Sequence, residues 1–97
     1  MKRTRNSPEY RQRVRAVVYG TVQGVGFRYT VRQTARRLGL AGYVLNRQDG
    51  TVELEAAGAL EAVAELLRTV EHGPGHVERV ELVDVTTESL PEPFAVR

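Results

Sequence analysis

The sequence predicts an α+β fold, a ferredoxin-like α/β sandwich in which a four-stranded antiparallel sheet carries two helices on one face, with a short fifth strand allowed at an edge. Three observations point there: two-residue hydrophobic alternation in 13–19 and 51–56, a helical period in two longer stretches, and the order β-α-β-β-α-β. In "RVRAVVY", Val14, Ala16 and Val18 share one face of a half-buried strand. After the glycine-rich "GTVQGVG", Phe27, Val31, Ala35 and Leu38 recur at spacings of four, four and three, one stripe of a helix, and Gly39 suits the left-handed position that ends it. "GYVLN" reads as a second strand and "RQDG" as a tight turn, with Asp49-Gly50 supplying positive φ. "TVELEA" sets Val52, Leu54 and Ala56 against Thr51, Glu53 and Glu55, the clearest strand. Leu60, Val63, Leu67 and Val70 restore a helical period over 59–71 until "HGPG" stops it. A long fourth strand is expected over 77–86, and "FAVR", after Pro91 and Pro93, is the candidate edge strand.

A chain of 97 residues accommodates one domain with one core. Its 41% hydrophobic and 27% charged residues are ordinary for a water-soluble protein, and no apolar run approaches a membrane span. "MKRTRNSPEYRQR" has no apolar segment after its charges, so a secretory signal is not expected and the cytoplasm is the expected location. Cysteine is absent, which excludes disulfides, thiol nucleophiles and thiolate metal sites. No carboxylate or histidine cluster has ligand spacing, so neither a metal nor another cofactor is expected. The charge is uneven: residues 1–15 hold six cationic side chains against Glu9 alone, whereas eight arginines face eleven acids from residue 16 onward. Residues 1–10 are expected to form a disordered basic leader and 11–97 the domain, a monomer by default.

The element order has a consequence for function. Strands flanking a crossover helix run parallel, so the glycine loop after the first and Asn46 at the end of the second share one edge of the sheet, where ligands of α/β folds tend to sit. Gly20, Gly24 and Gly26 allow successive N–H groups to converge, and such a row at a helix N-terminus is an anion site for which phosphate is the obvious guest. Arg28 sits in the first helical turn, where the helix dipole disfavours a cation and a bound anion reverses that preference. The loop and arginine alone leave two readings open, an anion site or an ordinary glycine-rich turn beside a solvated arginine. Neither the dinucleotide fingerprint nor the P-loop pattern is met.

The stretches "VYGTVQGVGFRYTVRQTARRLGLAGYVLN", "DGTVELEAAG" and, more weakly, "GPGHVERVELV" closely resemble the acylphosphatase family over about residues 17–83. The resemblance implies a metal-independent enzyme that hydrolyses the carboxyl–phosphate bond of acyl phosphates. In the residues matching the family motif, Gln23, Gly24, Val25, Gly26 and Phe27 would cradle the phosphate together with Arg28, and Arg28 and Asn46 would be catalytic. The implied partners are a small acyl phosphate and inorganic phosphate as product and inhibitor, with neither nucleic acid nor membrane. The chemistry fits a site poor in titratable groups, because the leaving carboxylate has a parent acid pKa of about 4 and needs no general acid.

Two rivals share the fold. An RNA-recognition module would stack bases on sheet aromatics, and Glu53 and Glu55 on the face opposite Val52 and Leu54 would repel its ligand. A non-catalytic module binding phosphate or carbamoyl phosphate, as within a hydrogenase-maturation protein, is the closer alternative; retention of both Arg28 and Asn46 favours the enzyme. Arg28, Arg32 and Arg36 form a stripe that could widen the positive field, although a solvated face with exposed ion pairs is the simpler expectation. Tyr29 and Tyr43 are expected in core or edge packing, Asp49 in its turn, Gly42 in the backbone at the start of the second strand, and His72 and His76 at the surface.

Overall fold

The computed structural model describes residues 11–97, so the expected leader over residues 1–10 lies outside the described residues. The elements are β1 (Arg11–Thr21), α1 (Phe27–Arg37), β2 (Ala41–Asn46), β3 (Val52–Ala59), α2 (Leu60–His72), β4 (His76–Val83) and β5 (Ala95–Val96). The sheet order is β4-β1-β3-β2-β5. Both β1 and β2 pair antiparallel with β3, so they run parallel to each other and their C-terminal ends meet at one edge. Alternation buries Val14, Ala16 and Val18 of β1 against Val52, Leu54 and Ala56 of β3, and both helices lie on that face. Helix α1 contributes Phe27, Val31 and Ala35, as its period requires. None of the helices described is long and apolar enough to cross a membrane.

Three details differ from the sequence expectation. The fifth strand allowed at an edge is present as β5, but it lies beside β2 and runs parallel to it, so the sheet is mixed rather than wholly antiparallel. The anchor is Phe94, fully buried, with the flanking chain tied down by Gly42 N–H to the Pro91 carbonyl and Arg97 N–H to the Val44 carbonyl, each 2.9 Å. In α2 the core positions are Val63, Leu66 and Val70, whereas Leu60, the first residue, is exposed. Finally, β4 ends at Val83 rather than 86, because the chain beyond it folds back over the open face of the sheet.

That open face carries the largest departure. Glu55 is fully buried and Glu53 nearly so, and neither is a bare charge. Glu55 accepts from Arg13 Nε (2.8 Å), the Thr86 N–H (2.9 Å) and the Thr86 hydroxyl (2.8 Å). Glu53 accepts from Arg15 Nε at 3.0 Å and from the buried Tyr43 hydroxyl, with Arg47 Nε 3.8 Å away. Two cations that look like part of a basic N-terminal run are thus internal partners of the β3 acids. Burial alone pushes both carboxyls up, but it is outweighed: Arg13 and Thr86 hold Glu55, and Arg15 and Tyr43 hold Glu53, below the ordinary value. The Tyr43 hydroxyl is pushed up, first by burial and then by Glu53.

Candidate active site

At the end of β1 the register slips between Tyr19 and Gly20, and the chain enters the loop that leads to α1. Gly24 and Gly26 take φ of 76° and 83°, in the left-handed region, with open space where a Cβ would stand. Their requirement is therefore conformational rather than steric. Gly26 is also the N-cap of α1, which has no side-chain cap and no acid in its first turn. The orphan N–H groups and positive dipole end of the helix are left for a ligand.

The loop is braced from two sides. Gln23 Nε2 donates to the carbonyls of Arg47 (2.7 Å) and Thr51 (2.8 Å), bonding the loop to the hairpin that begins just after Asn46. Asp49 holds that hairpin by accepting from the Thr51 N–H, the turn role expected of it. On the other side is the turn between α2 and β4, where Gly75 (φ 83°) approaches so closely that a Cβ would drive into the Thr21 carbonyl and the Val25 side chain. Gly75→Ala is therefore expected to cost about 1–3 kcal/mol of stability and to weaken phosphate binding as the loop shifts. Thermal melts with and without phosphate check this; an unchanged phosphate response would refute the bracing role.

A cavity of about 260 Å³ opens at this edge. Gly24, Gly26, Phe27 and Arg28 line it from the loop and α1, and Asn46 lines it from the end of β2, so the predicted convergence of loop and second strand is realised. Gln23 and Val25, also anticipated as ligand contacts, do not line it. The Gln23 side chain is spent on the hairpin carbonyls, and Val25 lies beside Gly75. Three lining residues had not been anticipated at the site, Val22, Tyr29 and Val96, whereas Arg32 had been weighed only as a member of a stripe that could widen the positive field. Val96 reaches the cavity through the parallel pairing of β5 with β2. Tyr29 is exposed at the cavity wall rather than packed in the core, with the Arg32 guanidinium 5.3 Å from its ring centroid.

The arginine stripe makes none of the expected exposed ion pairs among the described residues. Arg28 Nη1 donates to the backbone oxygen of Arg97, the last residue of the sequence, at 3.3 Å and Arg36 Nε to the Phe94 carbonyl at 2.7 Å, because α1 runs alongside the β5 segment. Among the described residues two buried side-chain polar atoms have no hydrogen-bond partner, Asn46 Oδ1 and Arg32 Nε, and both belong to residues of this cavity.

The sequence model of the acylphosphatase family matches residues 14–96. The chain belongs to the acylphosphatase family. An acylphosphatase of Salinibacter ruber is 46% identical over 83 residues, 86% of each chain. A structure of an acylphosphatase from Coxiella burnetii matches 97% of this chain and 100% of its own with a TM-score of 0.84 at 32% identity. A crystal structure of full-length HypF, in its phosphate- and nucleotide-bound form, is similar to 90% of this chain over 12% of its own length, with a TM-score of 0.74 and 25% identity. By family the chain is an acylphosphatase, an enzyme that hydrolyses acyl phosphates to carboxylate and phosphate.

Proposed function

We propose that the acylphosphatase reaction runs at this cavity without a metal, with Arg28 and Asn46 as its catalytic residues. The observation that carries the reading is Asn46 Oδ1, a buried acceptor with no protein partner in a cavity shared with Arg28 and the glycine loop. A buried acceptor that nothing in the protein satisfies is costly unless it serves a ligand or water. Here it accepts a hydrogen from the attacking water and aims the oxygen lone pair at phosphorus. Arg28, with its planar fork, and the N–H groups of Gly24, Gly26 and Phe27, which line the cavity, bind the phosphoryl oxygens and stabilise charge as it redistributes.

The bond between phosphorus and the bridging oxygen breaks, and its electron pair leaves on the carboxylate. At neutral pH that group departs unprotonated. The water's proton passes to a phosphate oxygen, so no protein acid or base is required, in keeping with a cavity lined by neither carboxylate nor histidine among the described residues. Positioning and charge stabilisation are the main needs of phosphoryl transfer. Inorganic phosphate, the product, occupies the same cradle and inhibits.

The test is hydrolysis of benzoyl phosphate with a chelator present, beside Asn46→Ala, with p-nitrophenyl phosphate as simple-ester control. The wild type turns over the acyl phosphate alone. Asn46→Ala loses roughly a hundredfold or more in kcat while its inhibition constant for phosphate changes little. Dependence on added metal, or equal small losses in both quantities, would overturn the assignment. The resemblance to a segment of HypF keeps one second reading in view, a module that binds phosphate without turnover; phosphate binding with no hydrolysis would select it.

A further inference from the structure

The stripe on α1 holds three arginines one turn apart, and the structure treats them differently. Arg28 and Arg36 each donate to a backbone oxygen of the C-terminal segment, at Arg97 and Phe94. Arg32, between them, makes no hydrogen bond or ion pair among the described residues, although it is partly buried and its Nε is closed off from solvent. The ion pairs of the described residues use Arg13, Arg15, Arg37, Arg47 and Arg97, and none of them involves Arg32. An Nε–H closed off from solvent with no acceptor is costly, and an anionic ligand that supplies the acceptor removes the cost. Tyr29 gives the guanidinium a face to lie against, which restricts its orientation.

We infer that Arg32 is a specificity residue that binds a second anionic group on the acyl chain of the substrate, so that the enzyme prefers acyl phosphates whose acyl part ends in a carboxylate or phosphate. The inference rests on the proposal that Arg28 and the glycine loop hold the phosphoryl group. Arg28 and Arg32 stand four apart on one face of α1 and line the same cavity, so that one short ligand with an anion at each end meets both. Val22 and Val96 line the same cavity and offer apolar wall to the methylenes between the two charges.

The experiment compares succinyl phosphate with acetyl phosphate as substrates, and 4-phosphonobutyrate with butylphosphonate as ligands measured by calorimetry, in wild type, Arg32→Gln and Arg32→Lys. The wild type favours the carboxylate-bearing member of each pair roughly ten- to hundredfold, and added salt narrows the gap. Arg32→Gln erases the preference and Arg32→Lys keeps part of it. A wild type with no preference, or a preference that survives Arg32→Gln, overturns the inference while leaving the phosphoryl site intact. Failure of the phosphoryl site itself looks different: the wild type then neither hydrolyses acetyl phosphate nor binds inorganic phosphate or butylphosphonate, and both readings fall together.

Discussion

Arg28→Ala lowers kcat/KM for an acyl phosphate by about a thousandfold or more and removes inhibition by phosphate, while leaving thermal stability unchanged or slightly raised. The two halves of this result come from one geometric fact. Arg28 lies in the first turn of a helix with no acid there and no side-chain cap, so without ligand its charge opposes the helix dipole. Removing such a cation gains a few tenths of a kcal/mol at low ionic strength, and the hydrogen bond lost is a long, exposed one to the Arg97 backbone oxygen. In the reaction the balance reverses. In the proposed mechanism the phosphoryl oxygens bring negative charge to the same N-terminus, and the guanidinium fork matches them two at a time. Lysine keeps the charge but loses the fork, so Arg28→Lys recovers only a small part of the activity. Because the proposed mechanism has Arg28 contact ground state and transition state alike, both kcat and phosphate affinity are expected to fall, whereas Asn46→Ala is expected to affect mainly kcat. Steady-state kinetics, phosphate competition and a melt without phosphate make the test. A loss below tenfold, or a variant that fails to fold, would sink the assignment.

The elements of this domain were legible wherever one face of a strand or helix is apolar, because burial of that face is what the periodicity records. Topology then carried the reading from elements to site: a crossover from β1 to β2 places the glycine loop and Asn46 at one edge before any side chain is considered. What escaped depends on contacts across the fold. Glu53 and Glu55 alternate with apolar neighbours as solvent-facing residues do, and nothing local says that residues 84–88 fold over them or that Arg13 and Arg15 are their partners. The separations involved, 42 residues for Arg13–Glu55 and 38 for Arg15–Glu53, lie beyond any local pattern. Arg32 escaped for a related reason. Helical spacing identifies the stripe but not which of its members the β5 segment ties down, and "FAVR" reads as an edge strand without saying which edge it joins, which the burial of Phe94 decides.

The buried acids make stability depend on pH, with a sign fixed by their environment. Glu55 is held below its ordinary value of 4.5 in the folded state, so the unfolded chain binds its proton more readily. Its contribution is therefore complete above the unfolded value and is lost as pH falls through the folded one; Glu53 acts in the same direction. Arg13→Ala removes the guanidinium while leaving the Glu55 carboxylate under the Thr86 segment, which costs roughly 3 kcal/mol near neutral pH. At low pH that cost shrinks, because a protonated Glu55 no longer needs a cation. Glu55→Gln behaves oppositely: it keeps a polar group for Thr86, discards the charge and flattens the acid limb of the stability curve. Urea unfolding of the three proteins from neutral pH down to about pH 3 separates them. A pH-independent cost of Arg13→Ala would mean that the arginine acts only through packing. The network also bears on the site, because Glu53 draws in Tyr43 and Arg47, which flank Asn46 along β2 and the turn after it. Acid that releases Glu53 thus loosens the strand end that positions Asn46, and turnover is expected to fall before the domain unfolds.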